Sequence, residues 1–112
     1  MKHVHYSEVK AVDVTETGAE RVKVRWLIAQ DDAAPHFYMR RFEVEPGGQT
    51  PHHLHPWEHE VYILEGEGTV FGPKGGEPFG AGDVVYVPPE EEHHFAADRG
   101  RPAVFLCLIP KT

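Results

Sequence analysis

Apolar and polar side chains alternate along most of this chain. In Arg21-Val22-Lys23-Val24-Arg25-Trp26-Leu27-Ile28 an apolar residue recurs at every second position, the period of a strand with one buried face. Phe37 to Val44 reads the same way and stops at Glu45-Pro46-Gly47-Gly48; Glu60 to Leu64 stops at Glu65-Gly66-Glu67-Gly68. Thr69 to Phe71 runs into Gly72-Pro73, Asp83 to Val87 into Pro88-Pro89, and Ala103 to Ile109 into Pro110. Ser7 to Lys10 allows one helical turn, and no stretch carries a sustained helical period beside strong caps. Many short strands joined at Gly and Pro predict an all-β domain, a sandwich or a jelly-roll barrel, with no internal repeat.

The 112 residues suit one domain over 1–112 with one core. At 40% hydrophobic and 26% charged residues the composition is globular and argues against disorder. A net charge of -7, with basic residues gathered only at Arg40-Arg41 and at Arg99 and Arg101, excludes a phosphate-binding surface for nucleic acid. No apolar run approaches the roughly 20 residues that span a bilayer, and the opening Met1-Lys2-His3-Val4-His5 has no apolar stretch of a signal peptide, so a cytoplasmic protein with no membrane partner is expected. The single Cys107 forms no internal disulfide, which agrees with a reducing compartment. The N-terminal strand-like segment 3–28 would cover a sheet edge on a neighbouring copy, giving a homodimer.

Histidine is where the chemistry gathers: nine are present, six of them crowded at 52–59 and 93–94. In an extended segment residues two apart face one side, so His53 and His55 can both point inward while Leu54 points out. Pro56 ends the pairing, after which His59 shares its parity with Val61 and Ile63, and Glu60 with Tyr62 and Leu64. A fourth nitrogen could come from His93 or His94 on a neighbouring strand.

These residues resemble the cupin superfamily, whose first motif reads G-x5-H-x-H-x(3,4)-E-x6-G and whose second reads G-x5-P-x-G-x2-H-x3-N. Gly47, His53, His55 and Gly66 take their places in the first, with His59 in the acidic slot; Glu60 meets only the looser spacing. Gly82, Pro88 and His93 fit the second, where Glu90 replaces the middle glycine and Ala97 the asparagine. The stretches around Met39-Arg40, His55-Pro56-Trp57-Glu58-His59-Glu60 and Phe105 to Pro110 are similar to a group of compact bacterial cupins. That resemblance implies a metal site of His53, His55, His59 and His93, a homodimer, manganese, and oxygen-dependent chemistry on a small unsaturated substrate.

Four neutral imidazoles suit Mn(II), Fe(II), Cu(II), Ni(II) or Zn(II) and are poor for Ca or Mg; the preference for Mn(II) rests on the resemblance alone. The functional reading is a metal-dependent dioxygenase-like oxidoreductase; a non-catalytic binding module and a sugar-type isomerase are the alternatives. His52 and His94 read as surface or supporting groups, and Glu60 as a carboxylate beside a ligating imidazole. Trp57, Phe42 and Phe95 read as barrel wall. Arg40, Cys107 and Phe105 are the candidates to line the cavity; Arg40 either faces solvent or meets an anion, since an unpaired inward guanidinium is costly.

Overall fold

The computed structural model describes residues 1–111. Nine strands follow in chain order: β1 Val12–Asp13, β2 Glu20–Ile28, β3 Phe37–Gln49, β4 His59–Glu65, β5 Glu67–Gly72, β6 Gly75–Gly80, β7 Val84–Val87, β8 His94–Ala97 and β9 Ala103–Pro110. They join into one curled antiparallel sheet, ordered β6-β5-β8-β3-β9-β4-β7, with β2 on β3 and β1 on β2. This is the expected all-β jelly-roll domain. Among the described residues the only helical pieces are two 3-10 turns, Tyr6–Glu8 and Gln30–Asp32, and no helix is long and apolar enough to cross a membrane.

Alternation decides which side chains enter the barrel. Along β4, His59, Val61 and Ile63 are buried and Glu60, Tyr62 and Leu64 exposed; along β9, Phe105, Cys107 and Ile109 face in. Tyr38, Phe42 and Val44 of β3 complete the wall, and Phe105 stacks between Phe42 and Phe95 at centroid distances of 5.3 and 4.8 Å. These three stacked aromatic rings fill part of the barrel interior and line its cavity.

Two features depart from the sequence reading. β3 does not stop at Glu45 but runs through Pro46-Gly47-Gly48 to Gln49, because residues 45–48 bulge opposite Arg21 between the pairs Val22↔Val44 and Glu20↔Gln49. A bulge accommodates a proline that a regular ladder would reject. Gly47, at φ 75°, makes the bend. Second, β6 carries Gly75-Gly76-Glu77-Pro78 and little alternation, so its strand comes from pairing with β5 rather than from its own pattern. Segment 20–28 forms the strand its alternation predicts and pairs along β3 of its own chain. Gly66, at φ 88°, closes the β4–β5 connection against the Pro102 carbonyl, where a Cβ would collide.

Candidate metal centre

Three local devices bring four distant histidines together. His53 and His93 form an isolated antiparallel bridge, His53 N–H donating to His93 O at 3.3 Å and His93 N–H to His53 O at 3.0 Å. The Glu90 amide donates to His55 O at 2.8 Å, tying the first histidine segment to the loop before β8. His59 opens β4 opposite Val87, facing inward as its parity required. One nitrogen from each of His53, His55, His59 and His93 lies within 4.8 Å of all the others.

The outer nitrogens of these rings are all spoken for. His55 Nδ1 lies 2.8 Å from Trp57 O and His93 Nδ1 2.8 Å from Glu91 O. A carbonyl only accepts, so both rings carry their proton on Nδ1 and their lone pair on Nε2. His53 Nδ1 stands 3.4 Å from the Glu16 carboxylate. His59 Nδ1 lies 3.1 Å from Cys107 Sγ, which also accepts from Arg40 Nη2 at 3.0 Å. The inner nitrogens then meet: His55 Nε2 and His59 Nε2 are 2.8 Å apart. With His59 protonated on Nε2 and its Nδ1 accepting from Arg40 Nη2 at 3.3 Å, this contact is a hydrogen bond; with the proton on Nδ1, both lone pairs face one point where a cation would sit. Four imidazole nitrogens converging within 4.8 Å make a donor set whose chemistry suits a metal ion, with a small inward shift needed to bring all four to about 2.1 Å from one point.

Electrostatics favour the unprotonated cluster. Burial first, then Arg40 and the other three imidazoles, push His59 down to about 2. Burial likewise lowers His55 and His93 below the usual imidazole range. Rings neutral at pH 7 are ready to coordinate without losing a proton.

Arg40 and Cys107 are direct cross-strand partners of β3 and β9, and both line the cavity. Phe105 also lines it while stacked in the core. Trp57 stacks on His55 at 4.3 Å, walling one side of the cluster. Glu60 is a correction: it sits on the exposed face of β4, and among the described residues no hydrogen bond joins it to a histidine. The group at the outer nitrogen of His59 is Cys107, whose thiol burial pushes up. His52 and His94 stay outside the cluster, their rings stacked at 3.5 Å with Phe71 on the far side of His94. Sequence reasoning missed Glu16 and the carbonyls of Trp57 and Glu91. Backbone acceptors leave no residue signature, and Glu16 reaches His53 only through the fold.

The cluster opens into a cavity of about 580 Å³, walled by Trp26, Phe42, Phe95 and Phe105 and rimmed by residues 12–16. Fold and cluster together define a single-domain jelly-roll barrel with a histidine centre suited to a divalent transition metal. The chain belongs to the cupin family: residues 40–109 match the Cupin domain. It is similar to the polyketide cyclase RemF from Streptomyces resistomycificus, at 40% identity and TM-score 0.94, covering 100% of this chain and 80% of that one. A cupin 2 conserved barrel domain protein from Rhodopseudomonas palustris is 30% identical with TM-score 0.81, covering 93% of this chain and 71% of the other. Over 71 residues, 63% of this chain, it is 32% identical to the 1-methylthio-D-xylulose 5-phosphate methylsulfurylase of Rhodospirillum rubrum, of whose length the match spans 46%.

Proposed function

We propose that this cupin is a metal-dependent enzyme that closes a ring in a small polyketide, with His53, His55, His59 and His93 holding one divalent ion through Nε2. The observation that carries the reading is a four-histidine cluster lining a cavity of about 580 Å³, in a chain 40% identical over its whole length to a polyketide cyclase. Bound there, a divalent ion supplies Lewis acidity toward carbonyl oxygen, which acidifies the neighbouring carbon. The chain's own residues do the rest. Trp26, Phe42 and Phe105 give a flexible poly-β-ketone apolar walls to fold against, which brings nucleophilic and electrophilic carbons together. The same walls exclude water.

The neutral donor set accommodates Mn(II), the ion of the resembling group, as well as Fe(II), Cu(II), Ni(II) and Zn(II). Ring closure stands ahead of the dioxygenase chemistry implied by the motifs, because a polyketide cyclase matches the whole chain at 40% identity. Incubating the metal-loaded protein with a linear aromatic-precursor triketone tests the proposal. Accelerated formation of a cyclic product lighter by one water, with dissolved oxygen unchanged, is expected. Oxygen consumption with an oxygenated product would replace cyclisation by the oxidative reading.

A further inference from the structure

The cavity contains a cation without a counter-charge. Arg40 rises from β3 on the inward face, its guanidinium carbon 4.9 Å from the Phe42 ring centroid and 5.4 Å from that of Trp26. Nη2 is used, at 3.0 Å from Cys107 Sγ. Nε is buried and has no hydrogen-bond partner. Among the described residues the ion pairs involve Lys2, Arg25, Arg41, Arg101 and His53, and none brings a carboxylate within 4.0 Å of Arg40. Its neighbours Arg41 and Arg25, by contrast, share Glu43 at 2.9 Å each on the outer face. The carboxylates nearest the cavity mouth, Asp13 and Glu16, lie on the rim, and Glu16 is turned to His53.

A partly buried guanidinium with an orphaned N–H costs stability, and the fold keeps it where an apolar residue of similar volume would pack. Two aromatic rings lie within 5.4 Å of the guanidinium carbon, near enough for cation–π attraction to favour this placement. From this arrangement we infer that the barrel cavity takes ligands bearing a carboxylate, and that Arg40 is the residue that binds it. The site fits a monoanion: one guanidinium supplies one charge and a planar fork, whereas a phosphate dianion calls for more donors than this wall offers. The aromatic rings that line the cavity beside Arg40, Trp26 and Phe42, suit a planar, unsaturated carboxylate. The inference deepens the cyclase proposal, placing the acid end of the substrate at Arg40 and its ketones toward the histidines, which His59 separates by the width of one ring.

Isothermal titration of benzoate, and of its uncharged counterpart benzamide, into the metal-loaded protein tests it. Benzoate is expected to bind about 10- to 100-fold more tightly than benzamide, the usual worth of charge-assisted hydrogen bonds. Arg40→Gln, compared at equal metal occupancy, should erase that preference and bring the two affinities together, and Arg40→Lys should restore part of it. Equal binding of the two probes by the unaltered protein, or a preference that survives in Arg40→Gln, overturns the inference; the latter is the pattern of a carboxylate held by the metal alone. A charge preference that depends on Arg40 in a protein that closes no ring would leave this inference standing and remove the cyclase reading.

Discussion

Cys107 Sγ lies 3.1 Å from His59 Nδ1, so the ring at the start of β4 is oriented by a thiol on β9 where carbonyl or carboxylate oxygens serve the other three. For Nε2 to coordinate, Nδ1 must carry the ring proton, and the sulfur is then its acceptor, since Arg40 Nη2 at 3.3 Å can only donate. Cys107→Ala removes that acceptor and is expected to weaken metal binding about 10- to 100-fold, the cost of losing a partner behind a metal-bound histidine. Competition against a coloured chelator measures it. Cys107→Ser, which keeps an acceptor, should recover part of the loss; equal affinity in all three proteins would mean the sulfur only fills space.

His59 and Glu60 separate cleanly. His59 is 6% exposed and faces the cluster, while Glu60 lies on the outer face. His59→Ala should reduce metal content to a small fraction of that in the unaltered protein. Glu60→Gln should leave it within about threefold, less than the loss expected for a group behind a ligand. Elemental analysis after desalting decides, and an empty Glu60→Gln protein would restore the carboxylate to the ligand set.

Parity carried most of this into the sequence. Positions 59, 61 and 63, like 105, 107 and 109, announce their face two by two, and the same rule, extended back from Phe42, turns Arg40 inward. What parity cannot give is distance across the barrel. That Arg40 meets Cys107 follows from the β3–β9 register, which is set by bulges and connections many residues away. Glu90 was legible as a substituted glycine, but its backbone conformation was not. β6 was invisible because its Gly-Gly-Glu-Pro start has no pattern of its own and depends on β5.

Acid should unfold the protein and release the metal in one transition. His55, His59 and His93 are held below the ordinary imidazole value, His59 down to about 2. The unfolded chain takes up these protons near pH 6.5, and the folded chain does not. The native state therefore binds fewer protons, so this part of the stability is complete above about pH 6.5 and is lost progressively as pH falls toward His59's value. Tryptophan fluorescence and metal content followed down the same pH series should fall together. Metal leaving near pH 6.5 from a protein still folded would show that the cluster titrates freely.

A two-fold dimer is expected on the outer face of β4 and β7. Tyr62, Val84 and Tyr86 are exposed there, Val84 at 73%, and Tyr62 pairs with Val84 across the two strands. A flat apolar patch on an edge strand is what closed two-fold association covers. Light scattering should return twice the 12.6 kDa of one chain, and Val84→Arg should halve the mass. A monomer before substitution refutes this.

Glu90 marks a place where the chain accepts strain. It stands in the slot that the second motif gives to glycine, and its φ is 68°. In that left-handed region an L side chain costs about 1–2 kcal/mol. The conformation persists because the Glu90 amide is bound to His55 O at 2.8 Å and the flanking Pro88 and His93 fix the loop. Glu90→Gly removes the Cβ conflict and returns about 0.5–1 kcal/mol of it as extra freedom of the unfolded chain. A net gain of roughly 0.5–1 kcal/mol remains, enough to raise the midpoint of thermal unfolding by a few degrees in a domain of this size. The opposite change calibrates the scale: Gly66→Ala, with φ 88° and the Pro102 carbonyl in the way, should lower the midpoint by more than Glu90→Gly raises it. If Glu90→Gly lowers the midpoint, the glutamate side chain makes contacts worth more than the strain it imposes.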